Sequence, residues 1–318
     1  MSKKIVDFKV GDSIQGFFLV KSIKLKTSSN NKIFLDFNLT DRTGEINAKL
    51  WDCTKEDEKK YSEGKLIKVK GSILEWQGKL QLRIIKIRNV KEEDNLIIDD
   101  YVLSAPEKSE IMYEKILSYI DNIDNDDIRN IVSYLFKENK KELMFYPAAK
   151  SNHHSMHGGL LYHILTMLRG AEKFLEIYTF LDKDLLFGGV VLHDIAKINE
   201  MDSNELGIVS SYTSEGELLG HIIQGIKQIE KVSEKVDANK EITVLLQHML
   251  LSHHYEPEFG SPKRPMIPEA EILHYLDVID ARMFDMKKTL ENIEPSGFSD
   301  KIWTLHNRKL YKAKYNNL

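Results

Sequence analysis

The chain has 318 residues, 42% hydrophobic and 30% charged, with a formal net charge of −4. That balance is ordinary for a globular protein with room for two cores, and overall it supplies no basic surface for nucleic acid. The single Cys53 excludes an internal disulfide and a cysteine-built zinc cage. No apolar run is long enough to span a bilayer, and the opening Met1-Ser2-Lys3-Lys4-Ile5-Val6-Asp7-Phe8 lacks the apolar stretch of a signal peptide. A cytoplasmic protein with no membrane partner is expected.

From Val10 to Val90 the pattern has the period of strands. Residues 13–20, 32–39, 44–51, 66–73 and 78–85 form five such runs. Turn-type residues separate them: Ser28-Ser29-Asn30-Asn31, Asp41-Arg42-Thr43-Gly44 and Gln77-Gly78. The charged segment from Thr54 to Glu63 predicts a short helix between strands three and four. Five strands with that insertion predict an OB-type barrel, which binds single strands through aromatics and cations on one face. Phe34, Phe37, Trp51 and Trp76 are candidate stacking residues, Trp76 foremost because it lies beside a turn. Lys24, Lys26, Lys32, Lys49, Lys79 and Arg83 are candidate phosphate contacts, although alternating Lys also marks a solvated face.

Around residues 96–110 the pattern changes. Asp99-Asp100 and Ala105-Pro106-Glu107-Lys108 read as a linker and a helix start. Ile111, Ile116, Tyr119 and Ile120, then Ile128, Ile131, Val132 and Leu135, recur at helical spacing, and the pattern persists to about Glu291. The expected organisation is a barrel at 1–95, a linker at 96–110, an all-α domain at 111–292 and a basic, Tyr-bearing tail at 293–318.

The chain's 11 histidines are not scattered. The apolar run Val190-Val191-Leu192 ends in His193-Asp194, with Lys197 a helical turn further on. Alone, that doublet equally fits a hydrogen-bonded core histidine and a capped acid. But His163, His221, His253 and Asp277 also lie in apolar stretches predicted as separate helices. Polar groups driven together onto several apolar faces point to a shared ligand inside a helical bundle. Imidazole plus carboxylate suits Mn, Fe, Co, Ni or Zn better than Mg or Ca. His163, His193, Asp194 and Asp277 form one expected cation site, with Asp194 able to bridge. His221 and His253, with His254, form a second. A cation pair of this kind deprotonates a water and stabilises charge on a phosphate, and Lys197 would donate to a phosphate oxygen or the leaving group. His153 and His154, in the loop before His163, are candidate substrate contacts, and His274 a candidate orienter of Asp277.

His163, His193-Asp194 and Asp277 resemble the signature of the HD-domain metal-dependent phosphohydrolases, and the added His221 and His253-His254 resemble its two-metal subset. With the barrel ahead of it, the ordered set Asn152-His153-His154, Gly159-Leu160, His193-Asp194, Gly220-His221, Ser252-His253-His254 and Gly260-Ser261-Pro262-Lys263 resembles the YhaM-type 3′–5′ exoribonucleases over essentially the whole chain. The resemblance implies a manganese- or cobalt-stimulated enzyme that releases nucleoside 5′-monophosphates from the 3′ end of single-stranded RNA, and of single-stranded DNA as a second substrate. It implies a metal-activated hydroxide as nucleophile, with His163, His193, Asp194, His221, His253 and Asp277 as ligands and His254 beside them. Lys197 matches the family's HD-x-G-K lysine, with Ala196 where Gly is frequent, and Lys263 and Arg264 become candidate phosphate contacts. A homo-oligomer is expected on resemblance alone. Two rival readings are a phosphohydrolase of small nucleotides (dNTPs, cyclic dinucleotides or alarmones) and a non-catalytic nucleic-acid-binding regulator. The barrel argues against the first, and the complete ligand set against the second.

Overall fold

The computed structural model describes residues 3–28, 30–150 and 154–315. The chain divides into two compact units, Met1–Ser104 and Ala105–Leu318.

The first unit is a closed barrel with strand order β1-β2-β3-β5-β4. The strands are β1 (Ser13–Thr27), β2 (Ile33–Asp41), β3 (Gly44–Trp51), β4 (Leu66–Trp76) and β5 (Lys79–Asn89). β3 and β5 run parallel and the remaining neighbours antiparallel, as in an OB-fold. β1 is longer than the sequence pattern suggests. Its first half pairs with β4 and its second with β2, and a register shift between Val20 and Ser22 bends the strand so that it closes the barrel. Phe18, Val20, Leu35, Phe37, Leu39, Ile67, Val69 and Leu82 fill the interior. The charged helix α1 (Lys55–Lys60) lies between β3 and β4, opened by a capping box of Thr54 and Asp57.

The second unit is helical: α2 (Ser109–Asp121), α3 (Asp126–Glu138), α4 (Lys140–Leu143), α5 (Gly159–Ile177), α6 (Lys183–Leu192) and α7 (Lys197–Glu200), then α8 (Ser214–Lys235), α9 (Lys240–Ser252) and α10 (Pro268–Glu291). A hairpin absent from the sequence reading, β6 (Met201–Ser203) with β7 (Val209–Tyr212), joins α7 to α8. α6 runs through the middle, and its residues from Leu185 to Leu192 are all buried. Gly189 allows Met249 of α9 to lie against its backbone, for a Cβ there would meet Met249 Cε at 2.2 Å. Beyond α10, the segment read as a basic tail folds back on itself: Phe298 bridges to Tyr311 and Ile302 to Arg308, and Lys312 is buried. No helix among the described residues is long and apolar enough to cross a membrane.

Candidate metal centre and nucleic-acid face

Helix ends, rather than helix faces, carry two of the expected ligands. α6 stops at Leu192, and His193 caps it. The ring's Nδ1–H donates to Val190 O at 2.8 Å, one of the last-turn carbonyls that a helix terminus leaves without an amide partner. α9 repeats the device: it stops at Ser252, and His253 Nδ1–H donates to Leu250 O at 2.7 Å. His254 Nδ1–H donates to Phe259 O at 2.5 Å. A carbonyl oxygen only accepts, so each of these rings holds its proton on Nδ1 and presents a bare Nε2.

Carboxylates fix the other two imidazoles. His163, on α5, donates from Nδ1 to Asp280 Oδ2 at 2.7 Å. His221 sits just after a break in α8, where Gly220 adopts φ 66° and ψ 169°, a conformation open essentially to glycine alone. The break turns His221 so that its backbone N–H and its Nδ1–H both reach Glu200 Oε1, each at 3.0 Å. Leu218, three residues before His221, is 82% exposed on the far side of that break.

Asp194 lies between the rings, with each oxygen turned to a different pair. Oδ2 is 3.4 Å from His193 Nε2 and 3.7 Å from His163 Nε2. Oδ1 is 3.4 Å from His221 Nε2 and 3.9 Å from His253 Nε2. Asp277, on α10, places Oδ1 3.4 Å from His163 Nε2. The ligating atoms of His163, His193 and Asp277 lie within 4.8 Å of one another, as do those of His221, His253 and His254. His154, His163 and Asp280 are similarly close, but there both imidazoles donate to the carboxylate, which makes a hydrogen-bonded triad.

The donor set fits divalent cations. Asp194 Oδ1, His221 Nε2 and His253 Nε2 are buried with no hydrogen-bond partner among the described residues, and each such atom costs about 1–3 kcal/mol. His163 Nε2 and His193 Nε2 face each other at 3.2 Å, an approach that needs a proton or a cation between them. The helix C-termini behind His193 and His253 add partial negative charge. Burial opposes a charge on His163, but Asp277 and Asp280 outweigh it and raise the imidazole to about 10. Burial likewise pushes the Asp194 carboxyl up, while Lys197 and the His193 and His221 rings overcome it and hold the group well below the usual carboxylate range. His253 is pushed far down by burial and by its neighbours His254 and His193. Lys197 keeps its charge against burial through Asp194, whose Oδ2 accepts from Nζ at 2.5 Å.

Several expected contacts lie elsewhere. His154 is not offered to a substrate: it is 1% exposed, and its Nε2–H donates to Asp280 Oδ2 at 2.7 Å. His153 lies outside the described residues. His274 donates to His253 O at 2.7 Å, so it orients the His253-His254 turn and not Asp277. Lys263 and Arg264 are exposed on the loop after His254, with Arg264 over the Tyr255 ring at 5.1 Å. Glu200 and Asp280 had no place in the sequence reading. Asp280 left a trace there, as a second acid one turn after Asp277.

On the barrel, Phe37 belongs to the core and Phe34 does not. Phe34 points outward from β2 but is only 7% exposed, because Trp51 covers it with ring centroids 4.7 Å apart. It thus supports Trp51 and does not itself face solvent. Lys49 Nζ lies 5.1 Å from the Phe34 ring and 5.9 Å from that of Trp76, which is 59% exposed at the β4–β5 turn. Trp51, Lys49 and Trp76 make one cationic, aromatic patch of the kind that stacks bases.

Residues 160–282 match the HD domain family, and residues 19–90 match the OB-fold nucleic acid binding domain family. Over the full chain, and 97% of its own length, a 3′-5′ exoribonuclease YhaM of Geobacillus sp. (strain WCH70) is 42% identical. The 3′-5′ exoribonuclease YhaM of Bacillus subtilis (strain 168) is 40% identical over 99% of both chains. Among solved structures, an OB-fold domain of replication protein A from Methanococcus maripaludis aligns with 29% of this chain and 96% of its own at 19% identity, with a TM-score of 0.25, too slight a likeness to argue from.

Proposed function

The chain belongs to the YhaM family of 3′–5′ exoribonucleases, and from that premise we propose that it hydrolyses single-stranded RNA from the 3′ end to nucleoside 5′-monophosphates, using two divalent cations at Asp194. It is a hydrolase of phosphodiester bonds. His163, His193 and Asp277 would hold one cation, and His221, His253 and His254 the other. Asp194 would serve both, one oxygen to each. Manganese suits this mixed nitrogen and oxygen set, with cobalt, iron, nickel and zinc as alternatives. Bound there, such cations make water a nucleophile at neutral pH and offset charge on the phosphate.

The protein's own groups supply the rest. Asp194, buried and ionised, fixes the two clusters about one carboxylate. Lys197, held at Asp194 Oδ2, keeps a positive charge where phosphate oxygens and the departing 3′ oxygen collect negative charge. Trp76 and Trp51 stack bases of the strand, and Lys49 takes a phosphate. Stacking ignores the sugar, so single-stranded DNA is a second substrate. Lys263 and Arg264 contact phosphates beside the second cluster.

The observation that carries the reading is Asp194, whose two oxygens face separate pairs of buried imidazole nitrogens. The test is incubation of 5′-labelled single-stranded RNA, next to a panel of free nucleotides, with Mn²⁺ and the purified chain. Stepwise shortening from the 3′ end with release of 5′-monophosphates is expected. Hydrolysis of free nucleotides with intact RNA would overturn it.

A further inference from the structure

Building on the two-cation reading, we infer that Glu200 and Asp280, neither of them a ligand, are positioning residues that tune the cation positions separately: Glu200 the one at His221, and Asp280 the one at His163. A histidine ligates through a lone pair whose direction and basicity depend on what its other nitrogen bonds. His193, His253 and His254 bond main-chain carbonyls. His221 and His163 bond side-chain carboxylates, one in each cluster. An anionic acceptor polarises the ring more strongly than a neutral carbonyl, so each cluster contains one strengthened donor.

The two carboxylates do not share partners. Glu200, the last residue of α7, accepts the backbone N–H and the Nδ1–H of His221 on one oxygen, which pins ring and main chain at the break of α8. Asp280 takes His163 Nδ1–H and His154 Nε2–H on the same oxygen, Oδ2, both at 2.7 Å, so a second buried ring locks it in turn. Each bonds Nδ1, the edge of the imidazole away from the Nε2 that faces Asp194. That orientation separates these acids from Asp277, which meets Nε2 itself.

The experiment is Mn²⁺ titration of the chelator-treated full-length chain by calorimetry. Circular dichroism reports the fold, and electron paramagnetic resonance reports spin-coupled manganese. The wild type takes up two equivalents. Glu200→Ala keeps one at wild-type affinity and weakens the other by about 10–100-fold, with loss of the coupled signal at limiting metal. Glu200→Gln, whose neutral amide oxygen still accepts both donors and so keeps the ring's direction, restores part of it, and the remaining deficit is the share of the anionic charge. Asp280→Ala and Asp280→Asn behave the same way for the opposite equivalent, and the double Ala variant weakens both. Wild-type binding by Glu200→Ala or Asp280→Ala overturns the inference. So does equal weakening of both equivalents in the Ala and amide variants with a lost dichroism signal, which marks a scaffold role. A wild-type chain that takes up fewer than two equivalents defeats the two-cation reading, and this inference with it.

Discussion

Gly220→Ala isolates the backbone's share in building the second cluster. At φ 66° and ψ 169° the added methyl conflicts with its own main chain. The surroundings are permissive, since it would lie 3.6 Å from Glu200 Oε1, an ordinary contact. The penalty is therefore conformational, about 1–3 kcal/mol. The chain can escape it by letting residue 220 relax to helical angles, which straightens α8. Straightening draws the N–H and Nδ1–H of His221 off Glu200 Oε1, where both now sit at 3.0 Å. The fraction of molecules with the ring in place, and with it the affinity for the cation at His221, should fall by the equivalent of that penalty, about 5- to 150-fold. The assay is RNA hydrolysis against Mn²⁺ concentration. Half-saturation should move up by that factor, with most of kcat recovered at high metal. A variant whose metal curve matches the wild type would show that the break does not hold His221.

Asp194→Asn should abolish hydrolysis and reduce bound metal by elemental analysis, yet leave RNA capture by the barrel unchanged in a filter-binding assay. Asn is the better choice than Ala because its side-chain oxygen keeps an acceptor for the buried ammonium of Lys197, although either substitution removes the counter-charge. Trp76→Ala should weaken binding of a single-stranded oligonucleotide by about 1–3 kcal/mol in the presence of chelator, and unchanged affinity would remove Trp76 from the binding face. In the metal-free chain His163 keeps its proton up to about 10, against 6.5 for an ordinary imidazole. Its ion pairs with Asp277 and Asp280 therefore stabilise the fold fully below about 6.5, and that contribution disappears as pH climbs through about 10. The Tm of chelator-treated protein should fall across that window and Mn²⁺ should suppress the fall, whereas a flat profile would contradict the charge assigned to His163.

The barrel was legible because alternation and turn residues are local signals: five runs, the inserted helix and the role of Trp76 as an exposed aromatic all follow from neighbours in sequence. The extension of β1 to Thr27 was not, because a register shift leaves no mark in a two-residue period. In the helical unit, His163, His193, Asp194, His221, His253 and Asp277 stood out as polar residues in apolar stretches, and they do meet. Their local settings did not stand out. The sequence pattern places His193 and His253 on helix faces, but an imidazole that satisfies a last-turn carbonyl ends the helix without any Gly or Pro to announce it. The break at Gly220 looked like continuing helix because Ile222 and Ile229 restore the period on its far side. His154 looks from sequence like a loop residue facing a substrate, and only the partner supplied by Asp280, more than a hundred residues away in sequence, shows why it is buried.

Three of the five imidazoles hang from main-chain oxygens, atoms that every residue type supplies. Packing of the helices alone therefore moulds most of the receptacle before an ion arrives. A centre built that way is expected to be stripped and refilled without refolding, which circular dichroism before and after chelation would check. On the proposed two-cation reading, RNA turnover would then rise and fall with the supply of ions while the amount of protein stays constant.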